Sequence, residues 1–261
     1  MPLLINNLSI ERGGREILNG VTFQLDQGQL LAVLGANGAG KSSLLRAIAG
    51  ELSYKQGSIR FNDLNLLDLN SSQQARLRAV MLQESELTFP FAVHEVVEMG
   101  GYPFEEATAG QTQAWVDEAL ELADIAHLQS RPYEQLSGGE QRRVQFARVL
   151  VQCLAMHTCS GKVYLMLDEP LANMDPKYQL QLMEVLRKLA HQRQFGILII
   201  MHDVNLATLC DRILLLSDRS VIAYGDPASV LNRQNLRRVY DLDMEVLAHP
   251  LEPARLIVVT I

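Results

Sequence analysis

Cysteine is scarce in this chain: Cys153, Cys159 and Cys210 are the three among 261 residues. They form no CxxC pair and are odd in number, so neither a disulfide framework nor a zinc site is indicated. Long hydrophobic runs are lacking as well. Ile197 to Met201 and Ile213 to Leu216 fall far short of the roughly 20 apolar residues of a bilayer-spanning helix. The opening residues, Met1-Pro-Leu-Leu-Ile-Asn-Asn, carry neither the basic flank nor the apolar core of a secretory signal, and the chain is expected to stay in the cytosol. Basic clusters are missing too. The net charge is −7, and Arg142-Arg143 and Arg237-Arg238 are only pairs, which argues against nucleic acid as a partner. With no internal repeat, low-complexity run or Pro/Ser-rich linker to divide it, the chain reads as one domain carrying a subdomain.

What is present is a glycine-rich segment, Gly35-Ala-Asn-Gly-Ala-Gly-Lys41-Ser42, with the spacing of a loop that wraps backbone around nucleotide phosphates. Leu30 to Leu34 ahead of it is an unbroken apolar run suited to a strand buried on both faces, and Ser43 to Ala49 behind it has helical spacing. Positive φ at Gly35, Gly38 and Gly40 would turn the loop N–H groups inward toward phosphate oxygens. The nucleotide-binding set is therefore Gly35, Ala36, Asn37, Gly38, Ala39, Gly40, Lys41, Ser42 and Ser43. Lys41 is expected to reach the β and γ phosphates and Ser42 to ligate Mg²⁺. Alone, the loop names a nucleotide and not a job.

A second apolar run, Val163 to Leu167, ends in Asp168-Glu169, two carboxylates at the carboxyl end of a buried strand. Asp168 suits the Mg²⁺ side of the site, through a water, and Glu169 suits the general base that takes the attacking water. Leu136-Ser-Gly-Gly-Glu140-Gln141 precedes a helical pattern over Arg142 to Leu150. Ser137 and Glu140 fit a capping box. The same residues fit a second anion site, in which Ser137 and the N–H groups of Gly138 and Gly139 hold a γ-phosphate. Because the glycine loop already cradles phosphates within its own chain, two such half-sites point to ATP held between two subunits.

Together these motifs resemble the ATP-binding subunits of ABC transporters, with Leu-Ser-Gly-Gly-Glu140 standing where that family has Leu-Ser-Gly-Gly-Gln. The resemblance covers nearly the whole chain. It implies an α/β fold: a P-loop NTPase core, with a mixed sheet and flanking helices, and an inserted helical subdomain. The core would comprise 1–83, with an N-terminal β-subdomain, and 136–261; the helical subdomain would be about 84–135. It also implies that Gln83, after Val80-Met-Leu, senses the γ-phosphate and Mg²⁺. Pro170 to Asp175 would contact the partner subunit. His202, after Ile197 to Met201, would bond the γ-phosphate and help hold the attacking water. The adenine-stacking aromatic of the family aligns near Arg12, so base stacking falls to a guanidinium. Gln152 to Lys162 lengthens the link before the second strand and reads as a surface extension.

Between Gln83 and Leu136, Phe89-Pro-Phe-Ala-Val93 and the following Glu-Val-Val and Gly100-Gly-Tyr-Pro103 resemble the importers of iron chelates, haem and cobalamin; Gln83-Glu-Ser-Glu-Leu87 ahead of them, with the long link before the second strand, is most similar to haemin importers. Thr112 to Leu128 is amphipathic, and Phe89, Pro90 and Phe91 are candidates to line a cleft for a membrane subunit. The resemblance implies an ATP- and Mg²⁺-dependent ATPase. Its partners would be a second copy of itself, two transmembrane permease subunits and, indirectly, a periplasmic solute-binding protein. It would lie peripherally on the cytoplasmic face of the bacterial inner membrane. Ferric siderophore or cobalamin is the alternative cargo, and a soluble ABC ATPase of DNA repair or translation is the alternative class. Beyond Ala223 a short helix and strand are expected to complete the fold.

Overall fold

The computed structural model describes residues 2–83, 90–252 and 255–261. Two long strands open the chain, β1 (Leu3–Arg12) and β2 (Arg15–Leu25), joined at Gly13 and Gly14. Both glycines have positive φ, which a two-residue hairpin turn demands. β3 (Leu30–Gly35) runs into the glycine loop and α1 (Lys41–Ile48), followed by β4 (Gln56–Phe61), β5 (Leu64–Asn65), α2 (Ser71–Ala75) and β6 (Arg78–Met81). Helices then dominate: α3 (Val93–Glu98), α4 (Ala109–Leu122) and the long α5 (Gly138–Ser160). The remainder alternates as β7 (Tyr164–Asp168), α6 (Pro176–Arg193), β8 (Gly196–Ile200), α7 (Val204–Ala207), β9 (Arg212–Ser217) and β10 (Ser220–Gly225). Last come α8 (Pro227–Val230), α9 (Arg233–Tyr240) and a hairpin of β11 (Met244–Ala248) and β12 (Leu256–Thr260).

The central sheet has the order β10-β9-β3-β8-β7-β6 and is mixed, with β9, β3, β8, β7 and β6 parallel and β10 antiparallel at one edge. Every residue of β3, β7 and β8 is buried, which is why these strands read as continuous apolar runs. Alternate side chains supply two cores. Leu31, Val33, Met166, Leu198 and Ile200 pack toward α1 and the second sheet, whose order is β2-β1-β4-β5. Leu30, Leu34, Leu165, Leu167, Ile197 and Ile199 face α5, α6 and the helices between β6 and β7. Burial of each such side chain stabilises the fold by roughly 1.5–3 kcal/mol.

Three sequence expectations change. The segment from Gln152 is not a surface extension: α5 continues to Ser160, Cys153 to Met156 are buried in the larger core, and only the tail from Thr158 is exposed. Gln152 is held because its amide donates to the carbonyls of Ala75 and Arg78, at 2.7 and 3.2 Å. The amphipathic segment starts earlier and stops sooner than Thr112 to Leu128. Thr108 caps α4 with a reciprocal Gln111 bond, and Asp124, at φ 55°, turns the chain away after Leu122. Beyond Ala223 the chain forms two helices and a two-stranded hairpin, more than a helix and a strand.

Arg78 ties the start of β6 to the end of α1. Its guanidinium is buried and donates to the carbonyls of Ile48 (3.0 Å) and Ala49 and to Gln74 Oε1 (2.8 Å). It thereby satisfies carbonyls that a helix end leaves without partners. Burial pushes its pKa down to about 10. Arg78→Met is expected to cost on the order of 2–4 kcal/mol, because those carbonyls stay buried without donors. Urea unfolding checks this; a variant as stable as the parent would contradict it.

Candidate active site

β3, β6, β7 and β8 are parallel neighbours, so their carboxyl ends open at one edge of the sheet. Gly35, Gly38 and Gly40 all have positive φ. At Gly35 a Cβ would stand 2.4 Å from the Leu216 carbonyl oxygen, and at Gly40 it would stand 2.6 Å from the Leu18 side chain. Only glycine therefore lets the loop lie this close to its neighbours. Ala36 and Ala39 close the turn through an N–H donated from Ala39 to the Ala36 carbonyl at 3.2 Å, with Asn37 between them. Lys41 is buried at the start of α1, where its ammonium donates to the carbonyls of Gly35 (2.7 Å) and Ala36 (3.1 Å). Desolvation lowers its pKa, while Glu169 and Asp168 pull the other way. Ser43 follows in the first turn of α1.

Ser42 Oγ donates to Asp168 Oδ1 at 3.4 Å. Asp168 is buried at the end of β7, and its pKa is raised by desolvation, opposed by the Ser42 bond and reinforced by Glu169. A hydroxyl beside a desolvated carboxylate is a donor set for a small hard cation that keeps most of its coordination for water and phosphate oxygen. Glu169 has φ 51°, in the left-handed region, and its N–H donates to the Ile200 carbonyl at 3.1 Å. That turn carries its carboxylate toward the ends of β6 and β8. There Gln83 Nε2 donates to Glu169 Oε2 at 3.2 Å, and His202 Nε2 lies 2.6 Å from Glu169 Oε1. A non-glycine residue held at such a φ costs on the order of 1–3 kcal/mol and marks a place where side-chain position outweighs backbone comfort.

Glu169, Gln83, His202, Lys41, Ser42 and Asp168 thus share one sheet edge. Ser137, Gly138, Gly139 and Glu140 do not join them. Ser137 caps α5: its hydroxyl and N–H both donate to Glu140 Oε2, at 2.7 and 2.8 Å, and the Glu140 N–H returns to Ser137 Oγ at 3.4 Å. The hydroxyl bond, more than the backbone one, holds the Glu140 carboxyl below the usual carboxylate range. The capping box is therefore formed. Among the described residues, no hydrogen bond joins this turn to the glycine loop; Gly139 instead approaches the Asn173 carbonyl. Arg12 stands exposed at the end of β1, opposite Arg15. Pro90 is exposed and Phe91 packs partly against the larger core, while Phe89 lies outside the described residues.

One residue that the sequence reading passed over connects these parts. Arg142, one turn into α5, donates to the carbonyls of Glu169 (2.8 Å), Ala172 (3.1 Å) and Gln83 (3.2 Å). Its position directly after the Ser-Gly-Gly-Glu-Gln segment was the available signal. Ile17 and Leu18 of β2, which pack against Gly40, had no such signal, because their contact is purely tertiary.

The sequence model of the ABC transporter family matches residues 18–172, more than half of the chain. The chain belongs to the ABC transporter family. As a member it is an ATP-hydrolysing cassette. It is 49% identical, over 259 residues and 99% of each chain, to the hemin import ATP-binding protein HmuV of Bordetella parapertussis. It is 41% identical, over 95% of this chain and 96% of the other, to the protein of the same name from Hydrogenovibrio crunogenus. Among solved structures, an inward-facing ABC transporter of metal-chelate type superposes with a TM-score of 0.80 at 24% identity, covering 99% of this chain and 97% of that one. A bacterial ABC transporter cassette solved as a dimer gives 0.75 at 23% identity, covering 87% and 99%. At those identities the two structures speak for the fold.

Asp168→Asn is expected to raise thermal stability at pH 7 while abolishing most hydrolysis. An acid whose folded pKa is raised keeps its full contribution below its ordinary value of 3.8 and loses it as pH rises through the folded pKa. The advantage of asparagine should therefore vanish as pH falls toward 3.8. Melting curves across pH check this; a variant less stable than the parent at neutral pH would contradict the desolvation argument.

Proposed function

We propose that this chain is the ATP-hydrolysing subunit of an ABC importer for haemin, acting as a closed pair of copies beneath two membrane-embedded permease subunits. The observation that carries the hydrolytic part is the Glu169 carboxylate, held between Gln83 and His202 and next in the chain to Asp168, which Ser42 of the glycine-loop segment bonds. The cargo rests on likeness along almost the whole chain to proteins named for hemin import. Among the described residues no helix is long and apolar enough to cross a membrane, so membrane passage falls to other subunits. In this reading the chain sits peripherally on the cytoplasmic face of the inner membrane, and an external solute-binding protein delivers haemin.

The glycine loop N–H groups and Lys41 orient the triphosphate and neutralise its charge, which is most of what phosphoryl transfer requires. Ser42, Asp168 and Gln83 are the residues that would hold Mg²⁺, which when bound would supply positive charge to the phosphate oxygens. Glu169 orients the attacking water in line with the γ-phosphate and takes its proton. His202 fixes that carboxylate and bonds the γ-phosphate. Ser137, Gly138 and Gly139 of the second copy close over the same phosphate from the end of their own helix, with Glu140 fixing the cap. ATP therefore binds the closed pair better than the open one and shifts the population toward it; hydrolysis removes the bias. Arg142 carries changes at Glu169 and Gln83 into α5 and so into the helices that adjoin the permease. Arg12 offers its guanidinium plane to the base.

Proteoliposomes containing the chain and its permease, given haem-loaded or siderophore-loaded binding protein, test the assignment. Hydrolysis stimulated by the haem-loaded protein alone is expected, with Glu169→Gln lowering turnover at least ~100-fold while ATP still binds. Stimulation only by the siderophore-loaded or a cobalamin-loaded protein would replace the cargo and leave the ATPase.

A further inference from the structure

The hairpin that ends the chain is stapled to α7, the short helix just after His202, by one side chain. Asn205 lies in α7, three residues after His202. Its amide nitrogen donates to the Val258 carbonyl at 3.0 Å, and its amide oxygen accepts from the N–H of the same residue at 2.8 Å. A carboxamide carries the donor and acceptor of one peptide unit, so Asn205 acts as a one-residue neighbour along the open edge of β12. The hairpin it grips is firmly based. Val258 is buried in the larger core, Met244 and Val246 of β11 pack against that core, and Leu236 and Val239 of α9 are buried beneath. Ile261 donates its N–H to the Asp243 carbonyl at 3.0 Å, and Arg233 and Arg237 each reach the Asp243 carboxylate at 3.4 Å.

The other end of the staple is short and depends on packing, with Leu206 and Ala207 buried in the larger core. α7 has four residues, capped by Asp203, whose carboxylate accepts from the Leu206 N–H at 2.9 Å. A helix that short has no stability of its own. His202 immediately precedes the cap, its side chain is 48% exposed, and among the described residues its hydrogen bond is to Glu169. Leu206 and Ala207 anchor α7, so besides its bond to Glu169 the imidazole takes its position from the backbone that joins residue 202 to α7.

We propose that Asn205 is a positioning residue for ATP hydrolysis: by clamping α7 to the C-terminal hairpin it holds His202 against Glu169. The proposal rests on the reading of Glu169 and His202 as the hydrolytic pair. It makes β11 and β12 a backstop for His202. A displaced imidazole gives up its own bond to the γ-phosphate but leaves the glycine loop and Lys41 to hold the nucleotide.

The test is a cycle of Asn205→Ala, His202→Ala and the double variant in the full-length chain, with kcat, KM for ATP and melting temperature measured for each. Asn205→Ala is expected to lower kcat about tenfold or more with KM little changed. Because the two residues act as one unit, the double variant should be no slower than His202→Ala alone. Asn205→Asp, which keeps the acceptor but cannot donate to the Val258 carbonyl, should reproduce the loss if the alanine variant folds poorly. Unchanged kcat in a folded Asn205 variant, or losses that multiply in the double variant, would overturn the proposal. Hydrolysis by Glu169→Gln is measured in parallel: its persistence would refute the general-base reading, while the cycle still reports whether residues 202 and 205 act together.

Discussion

The parallel hydrogen bonding of β6, β7, β8 and β3 is the constraint on which the site depends, because it delivers the ends of four strands to one edge in a fixed order. β3 delivers the glycine loop, β6 delivers Gln83, β7 delivers Asp168 and Glu169, and β8 delivers His202. The four strand ends are far apart in sequence, and the register places their side chains within hydrogen-bond reach. The strands are buried on both faces, so a slip by one residue would turn core side chains of opposite faces into each other. The rigidity that stabilises the fold is thus the same rigidity that spaces the carboxylates.

Around this edge the chain spends polar residues on ends and joints. Arg78 caps α1 and tethers β6, Arg142 gathers three carbonyls from the loops after β6 and β7, and Asn205 grips β12. Each is a side chain answering backbone groups that secondary structure leaves without partners. The α5 N-terminus stands apart from the glycine loop in the same chain, with Ser137 and Glu140 satisfying each other. On the proposed reading, that separation leaves each copy with one half of a phosphate clamp for a second copy to complete.

Much of this was legible in the sequence where one local rule governs. Leu30 to Leu34 and Ile197 to Met201 had to be strands buried on both faces, and Gly35, Gly38 and Gly40 had to adopt positive φ before a helix. Asp168 and Glu169 stood out as charges ending an apolar run. The failures came where partners are remote. Gln152 looked like the start of a polar excursion because the carbonyls it serves lie in α2 and β6, more than 70 residues earlier. The final hairpin was hard to see because its outer face is exposed and only Val258 is fully committed to the core. Arg142 was legible only through its place after the Ser-Gly-Gly-Glu-Gln segment, since its three acceptors are backbone atoms with no sequence signature.

The central claim is that the site is completed by the α5 N-terminus of a second copy. Sedimentation velocity of Glu169→Gln in Mg²⁺ and ATP, with Ser137→Arg introduced as the control that blocks the cap, tests it most directly. The account predicts a dimer with ATP, a monomer with ADP and a monomer whenever Ser137 is replaced. A chain that stays monomeric in ATP, or a dimer indifferent to Ser137, would contradict it.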